Sequence, residues 1–145
     1  MELFLRVATA RDVEFLHYLR DQTMRTYLEQ AGMAVCYDSY EARIQFEFQS
    51  AQIVEVDNQP VGLFKAVYEP EKNHWQIIQI QILPAFQGLG IGSKLITELI
   101  GNAEKSGASI GLSVIDSNPA MELYERLGFR VIGRKGSEYL MDYQI

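Results

Sequence analysis

Residues 83–92 read LPAFQGLGIG, and this stretch decides the fold that the chain is expected to adopt. It follows residues 74–83, an isoleucine-rich segment that predicts a long strand, and it precedes an amphipathic helix beginning at Ile91. Glycines allow backbone conformations that other residues avoid, and they let a ligand approach the chain closely. A helix N-terminus carries unpaired N–H groups and a partial positive charge. The stretch therefore predicts an anion site suited to a diphosphate.

Two common nucleotide-binding motifs do not fit the spacing of this glycine loop. The P-loop requires G-x-x-x-x-G-K-[ST], whereas Gly92 is followed here directly by Ser93 and Lys94. The dinucleotide fingerprint requires G-x-G-x-x-G after the first strand, whereas these glycines stand at 88, 90 and 92, after about the fourth strand. A glycine-rich turn that binds nothing stays an alternative on these residues alone.

The hydrophobic pattern on both sides of the loop predicts an α/β (α+β) chain with a mixed sheet and helices on its faces. We find no repeat and no linker, and we expect a single domain over residues 1–145. The predicted elements are a strand at 3–7, helices from Thr9 to about 27 and from about 39 to 49, strands at 52–56, 61–68 and 74–83, a helix at 91–106, a strand at 110–115, a short helix at 118–128, and strands at 129–132 and 138–143.

The composition narrows the classes of function. The net charge is −6, which disfavours a nucleic-acid partner and tolerates a cationic one such as an amine. No apolar run reaches the roughly 18 residues that span a bilayer, and the N-terminus does not resemble a secretory signal. The one cysteine, Cys36, fits a reducing compartment. We therefore expect a cytoplasmic protein, a monomer or homodimer, with no membrane or metal partner.

A second block, NPAMELYERLGF at residues 118–129, stands downstream of the glycine loop. Residues 83–92 resemble the acetyl-CoA-binding motif of the GNAT superfamily of N-acetyltransferases, which runs from a strand through a proline to Gln/Arg-x-x-Gly-x-Gly/Ala. Residues 118–129 resemble the other hallmark of that family. The resemblance covers residues 74–130 well, whereas the first fifty residues match only in the order of their elements.

The resemblance implies a GNAT-like mixed sheet of about six to seven strands that splays in the middle, with helices on both faces. It implies that acetyl-CoA enters the gap, with Tyr124 near the thioester sulfur. Asn118 would contact the cofactor from the other side of the gap. The cofactor-binding residues implied in this way are Ile80, Gln81 and Ile82 for pantetheine, and Gln87, Gly88, Leu89, Gly90, Ile91 and Gly92 for the pyrophosphate.

Acetyl transfer needs a neutral amine, an acid for the leaving thiolate and a base for the amine proton. Tyr124 is the candidate acid, although its helical spacing also fits a core residue. Asn118 fits an N-cap as well as a cofactor contact. Relatives often carry glutamate on the strand before the loop, where this chain has Gln79 and Gln81, so the base stays open. The alternatives are a water chain or one of four side chains: Glu55, His74, Asp116 and Glu138.

The first two helices and the final hairpin are expected to form the acceptor site. The candidate residues there are Arg20, Met24, Arg25, Tyr27 and the segment 37–40, which alternatively form a solvated helix surface. The sequence thus predicts an N-acetyltransferase that moves an acetyl group from acetyl-CoA to a primary amine of a small molecule, peptide or protein, in a ternary complex. The alternatives are a non-catalytic acetyl-CoA- or CoA-binding module and a nucleotide-binding protein.

Overall fold

A computed structural model of the protein describes residues 1–143. Within them, strands and helices follow one another in the order that the sequence predicts. The strands are β1 Leu3–Val7, β2 Ala51–Val56, β3 Gln59–Glu69, β4 His74–Ile82, β5 Ser109–Ile115, β6 Arg130–Lys135 and β7 Glu138–Tyr143. The α-helices are α1 Val13–Gln30, α2 Tyr37–Gln45, α3 Ile91–Ser106 and α4 Ala120–Arg126.

The seven strands form one mixed sheet in the order β1-β2-β3-β4-β5-β7-β6. Strands β4 and β5 are parallel, and each of the other neighbouring pairs is antiparallel. The predicted mixed sheet of six to seven strands is therefore confirmed.

The sheet opens between its two parallel strands. β4 and β5 pair only from His74 opposite Ser109 to Ile77 opposite Leu112, although both strands continue beyond that point. On its other edge β4 remains paired with β3, but the register shifts at Ile78. Such a bulge bends a strand and increases its twist. The predicted splay is thus present, and it begins where the bulge turns β4 away from β5.

Alternating side chains divide the core between the two faces of the sheet. Val54 and Phe64 face the core that α3 and α4 cover, whereas Ile53 and Leu63 face the core that α1 and α2 cover. This alternation follows from the two-residue period of a strand. The sheet therefore carries helices on both faces, as predicted.

The predicted bounds of the second helix were wrong. α2 ends at Gln45 because Phe46 is extended and Glu47 has a left-handed φ of 52°. The prediction continued the helix to about residue 49, whereas Phe48–Ser50 form a single 3₁₀ turn. The end of α2 is supported from β3, where the fully buried Lys65 donates from Nζ to three carbonyls of the segment 43–46. A long-range contact of this kind is invisible in a local sequence pattern.

Two smaller differences concern element ends. α1 continues to Gln30 rather than ending near residue 27, and β6 spans Arg130–Lys135 rather than 129–132. The start of the first helical segment is as predicted, since the Asp12 carboxylate accepts the Thr9 backbone N–H at 2.7 Å. Among the described residues, none of the helices combines the length and apolar character that crossing a membrane requires.

Candidate active site

The glycine loop leads directly into the first turn of α3, where backbone N–H groups have no carbonyl partner within the helix. Gly88 and Gly90 have φ of 77° and 80°, in the left-handed region that glycine adopts at least cost. Gly90 is the residue from which α3 begins, and the first N–H groups of a helix have no carbonyl partner within it. The Gln87 side chain donates from Nε2 to the Ile82 carbonyl at 2.9 Å, which ties the loop to the end of β4.

A cavity of about 550 Å³, which we name the loop cavity, lies between this loop, the end of β4 and α4. Leu89 is not among its lining residues and is 54% exposed, so only its backbone remains a candidate for binding. The other residues predicted for the cofactor or for catalysis all line it: Ile80, Gln81, Ile82, Gln87, Gly88, Gly90, Ile91, Gly92, Asn118 and Tyr124.

A second cavity of about 540 Å³, which we name the strand cavity, lies beside the open ends of β4 and β5. Its walls come from both strands and from α1, α2 and the segment between them. Five residues line both cavities, so the two spaces adjoin in the gap between the splayed strands. These shared residues are Met24, Ile80, Gln81, Asn118 and Tyr124.

Asn118 has a structural task in this gap. Its side-chain Oδ1 accepts the N–H of Ala120 at 2.9 Å and so caps α4. Its own backbone N–H donates to the carbonyl of Ile115 at 2.9 Å, which fixes the turn after β5. The predicted cap is confirmed, and the same residue faces both cavities.

Tyr124 lies on α4 at the junction of the two cavities. It is 7% exposed, and its ring packs beside Phe129 with 6.2 Å between the ring centroids. Burial raises the pKa of Tyr124 to about 12, because a phenolate would lose its hydration there. The phenol therefore keeps its proton at neutral pH, as a proton donor must.

The structure separates the four candidate bases. Glu55 accepts a hydrogen bond from Arg6 Nε at 2.9 Å, and Asp116 is paired with Arg134. Neither of these carboxylates lines a cavity. Both ring nitrogens of His74, the third candidate, are within hydrogen-bond distance of side chains of the sheet.

Glu138, the fourth candidate, differs from the others. Its residue begins β7 opposite Ile115, next to the open end of β5. Among the described residues, it is the one carboxylate that lines the strand cavity. Glu138 is therefore the candidate that the geometry favours.

The residues expected at an acceptor site divide in the structure. Arg20, Met24 and Ser39 line the strand cavity, and Tyr27 lines the loop cavity. The others do not line either cavity. Arg25 is an exposed residue that pairs with Asp21 and Glu29, Tyr37 stacks on His17 at the surface, and Tyr40 is buried with its hydroxyl donating to Asp21.

Several lining residues were missed by the sequence reasoning. Arg126, on α4, brings a positive charge to the loop cavity. It lies within the block at residues 118–129, so the sequence alone could have indicated it as a candidate for binding an anion. Arg43, on α2, lines the strand cavity and donates from Nη2 to the carbonyl of the bulge residue Ile78 at 3.3 Å. No signal in the sequence indicates that contact, because it depends on the bulge.

The chain is an α/β protein whose sheet splays beside a glycine-rich helix start, with two cavities meeting at a buried phenol. A family model described as acetyltransferase (GNAT) family matches residues 13–129. The chain therefore belongs to the GNAT acetyltransferase family.

Curated relatives are acetyltransferases of two kinds. The chain is 32% identical over 84 residues to the [ribosomal protein bS18]-alanine N-acetyltransferase of Haemophilus influenzae, a match covering 57% of this chain and 56% of that protein. It thus spans little more than half of that relative's length. It is 24% identical over 155 aligned positions to the spermidine N(1)-acetyltransferase of Escherichia coli K12, covering 97% of this chain and 79% of that protein.

Solved structures share the fold at low sequence identity. An acetyltransferase from Thermus thermophilus superposes with a TM-score of 0.79 at 20% identity, covering 100% of this chain and 98% of that one. The PaiA N-acetyltransferase from Thermoplasma acidophilum, in complex with coenzyme A, gives 0.76 at 18% identity and covers 100% of both chains. These likenesses support the GNAT-like fold.

Proposed function

We propose that this protein transfers an acetyl group from acetyl-CoA to a primary amine by direct attack in a ternary complex. The observation that carries the proposal is the meeting of the two cavities at Tyr124, in the gap between β4 and β5. One cavity has the features of a diphosphate site and the other admits a small molecule from the opposite side. Two substrates that meet in one gap need no covalent enzyme intermediate.

The loop cavity is the site proposed for acetyl-CoA. Its residues fit the cofactor, since left-handed Gly88 and Gly90 leave a helix start open to a pyrophosphate. Arg126 adds a cation to the same wall. None of the described strands pairs with the edge of β4 from Ile80 to Ile82 on the β5 side, so its backbone is available to an extended pantetheine chain. Bound there, acetyl-CoA supplies the activated acetyl group.

Three groups of this chain have proposed roles in proton transfer and orientation. An alkyl ammonium has a pKa near 10.4, so Glu138 or a water beside it takes the proton from the amine before attack. A nitrogen–carbon bond then forms while the carbon–sulfur bond breaks. Tyr124 holds the proton that the departing thiolate needs, and Asn118 fixes the turn that orients α4.

The test is thiol release from acetyl-CoA in the presence of a panel of amines. The panel includes spermidine and an alanine-initiated peptide, since the names of the two relatives specify spermidine and an alanine of a ribosomal protein. Acetylated product with at least one amine supports the proposal. Calorimetric binding of acetyl-CoA without turnover of any amine would instead favour a non-catalytic CoA-binding module. Preferential thermal stabilisation by ATP or NAD would favour a nucleotide site.

Glu138→Gln tests the proposed base directly. We expect kcat to fall about 10²-fold, with the acidic limb of the pH–rate profile lost, because the amide cannot accept the amine proton. Glu125→Gln is the matched control, since Glu125 is exposed on α4 and lines neither cavity. An unchanged rate and pH profile in Glu138→Gln would assign the role of proton acceptor to water.

The free and exposed Cys36 is in keeping with the cytoplasmic location that we continue to propose.

A further inference from the structure

Two deeply buried polar side chains that border the strand cavity carry atoms without a hydrogen-bond partner in the part of the chain that the structure describes. Arg20, on α1, is 7% exposed, and Gln79, on β4, is 5% exposed. Among the described residues, Arg20 Nε and both polar atoms of the Gln79 amide have no hydrogen-bond partner. A buried polar group left unsatisfied loses its hydration without compensation, so these three atoms need a hydrogen-bond partner within the cavity.

Within residues 1–143, no carboxylate forms an ion pair with Arg20. Burial and the nearby Arg43 lower the pKa of Arg20 to about 10, which still leaves the guanidinium charged at pH 7. The Tyr40 ring lies 5.5 Å from the guanidinium carbon, but a ring is not a counter-ion. The carboxylate of the next residue, Asp21, is engaged by Arg25 Nε and by the Tyr40 hydroxyl, both at 2.8 Å.

The surroundings of the strand cavity are positive although the protein as a whole carries −6. Arg20 and Arg43 line the cavity, and burial together with these two arginines lowers the pKa of Lys65, which lies opposite Gln79 in the sheet. Glu138 is the one acidic lining residue among those described. These positive charges would repel a polycationic substrate, whereas a substrate with an anionic group would neutralise them.

The unpartnered atoms specify which anionic group fits. A guanidinium presents a planar fork of N–H donors that matches a carboxylate, and such charge-assisted pairs are strong when water is excluded. The Gln79 amide offers one further donor, Nε2, and one acceptor, Oε1. A molecule that carries both a carboxylate and an amine satisfies both, with the carboxylate on Arg20 and Nε2 and an N–H on Oε1.

We infer that the acceptor is a small amino acid-like molecule, an amine that also carries a carboxylate, with Arg20 as the carboxylate anchor and Gln79 as the group that orients the amine. This inference rests on the proposed acetyl transfer to an amine and narrows it to one substrate class. The cavity of about 540 Å³ is large enough for a free amino acid.

The experiment compares free amino acids with their carboxamides, which keep the amine and remove the negative charge. We expect kcat/KM for the preferred amino acid to exceed that for its carboxamide at least 100-fold in the wild-type protein. The carboxamide has the more weakly basic amine, so its neutral form is more abundant and the preference cannot come from amine protonation. Spermidine and an alanine-initiated peptide extend the panel to amines without a nearby carboxylate.

Arg20→Met separates a binding role from a structural role. We expect KM for the amino acid to rise at least 50-fold and the preference over the carboxamide to disappear, with unchanged affinity for acetyl-CoA. Because the variant removes an unpaired buried charge, its melting temperature should not fall. Arg11→Met, which removes an exposed arginine just before α1, is the matched control and should behave as wild type. Arg20→Lys keeps the charge without the fork and should recover part of the affinity.

The outcomes distinguish this inference from the proposed function. Turnover of carboxamides, spermidine or the peptide at rates equal to amino acids, unaffected by Arg20→Met, would overturn the carboxylate anchor and leave acetyl transfer intact. If no amine reacts, the proposed acetyl transfer is wrong, and the binding of amino acids then tests whether Arg20 is a carboxylate anchor. Amino acids should then stabilise the complex with CoA more than carboxamides do, and only when Arg20 is present. Equal stabilisation by amino acids and by carboxamides would overturn the role of Arg20 as carboxylate anchor.

Discussion

Replacing Gly90 by alanine should weaken CoA binding far more than it weakens the fold, and helix α3 offers its own control. Gly90 immediately precedes the first residue of α3 and Gly107 follows its last residue. Both have left-handed backbones, with φ of 80° and 69°, and, apart from the residues next to them in the chain, no described residue places a heavy atom within 4 Å of a methyl group added at either. The two substitutions therefore impose the same kind of strain at opposite ends of one helix, but only Gly90 lines the loop cavity.

The magnitude follows from the backbone. Since no collision contributes, each alanine costs the left-handed penalty of about 1–2 kcal/mol, offset by about 0.4–1 kcal/mol from the stiffer unfolded chain. The net loss is roughly 1 kcal/mol, or a melting temperature lower by about 4 °C. At Gly90 we expect the methyl group also to hinder the pyrophosphate that we propose binds at this helix start. Loss of one charged hydrogen bond, about 1.5–3 kcal/mol, weakens binding by roughly 10- to 100-fold.

The assay is urea unfolding for stability and titration calorimetry with CoA for affinity. We expect similar unfolding free energies for the two variants, and a Kd for CoA that rises at least tenfold only in Gly90→Ala. Equal CoA affinities in the two variants, both as tight as wild type, would refute the assignment of the pyrophosphate to this helix start. Equal losses of affinity in both would show that strain in α3, rather than contact at the loop, controls binding.

Three further perturbations test other parts of the structure. Tyr124→Phe should lower kcat about 10²-fold with unchanged CoA affinity. In the wild-type protein, the rate should show no loss from deprotonation of this phenol below pH 10, since burial raises its pKa to about 12. Steady-state kinetics across pH measure the rate and calorimetry measures the affinity, and an unaltered kcat would exclude the acid role. Lys65→Ala should cost about 3 kcal/mol in urea unfolding, because it leaves a cavity and removes three hydrogen bonds that satisfy the end of α2. The Arg6 side chain, by hydrogen bonding, lowers the pKa of Asp12, so this stabilisation is complete above the unfolded pKa of about 3.9 and is lost as the pH falls through the folded value; unfolding free energies from pH 6 to 3 should fall more steeply for wild type than for Asp12→Asn, and parallel curves would contradict the role of this pair.

Local signals account for the elements that the sequence predicted well. The helix at 91–106 has a left-handed glycine before it, an apolar stripe along it and Gly107 after it. Residues close in sequence therefore specify both ends of the helix and its buried face. The short helix after Asn118 is likewise specified by its cap. The second helix was predicted less well, since its end depends on Glu47 and on Lys65 from a different strand.

The site divides in the same way. The resemblance of two motifs to the GNAT family implied that the glycine loop, Asn118 and Tyr124 share one site, and the structure brings them to one cavity. Among four candidate bases, the sequence alone offered no preference, because their ranking depends on which carboxylate reaches the gap. Glu138 reaches it only because β7 pairs beside the open end of β5.

The sequence by itself determined the family, the order of the elements and the position of the glycine loop before α3, because each is encoded by residues close together in the chain. Only the tertiary structure decided where the sheet opens, through the bulge at Ile78 and the early end of pairing at Ile77. It alone brought Arg20 of α1 and Gln79 of β4 to one cavity as unpartnered groups. The physical reason is that strand pairing and burial are long-range, so the charge and hydrogen-bonding capacity of a pocket emerge only when distant segments meet.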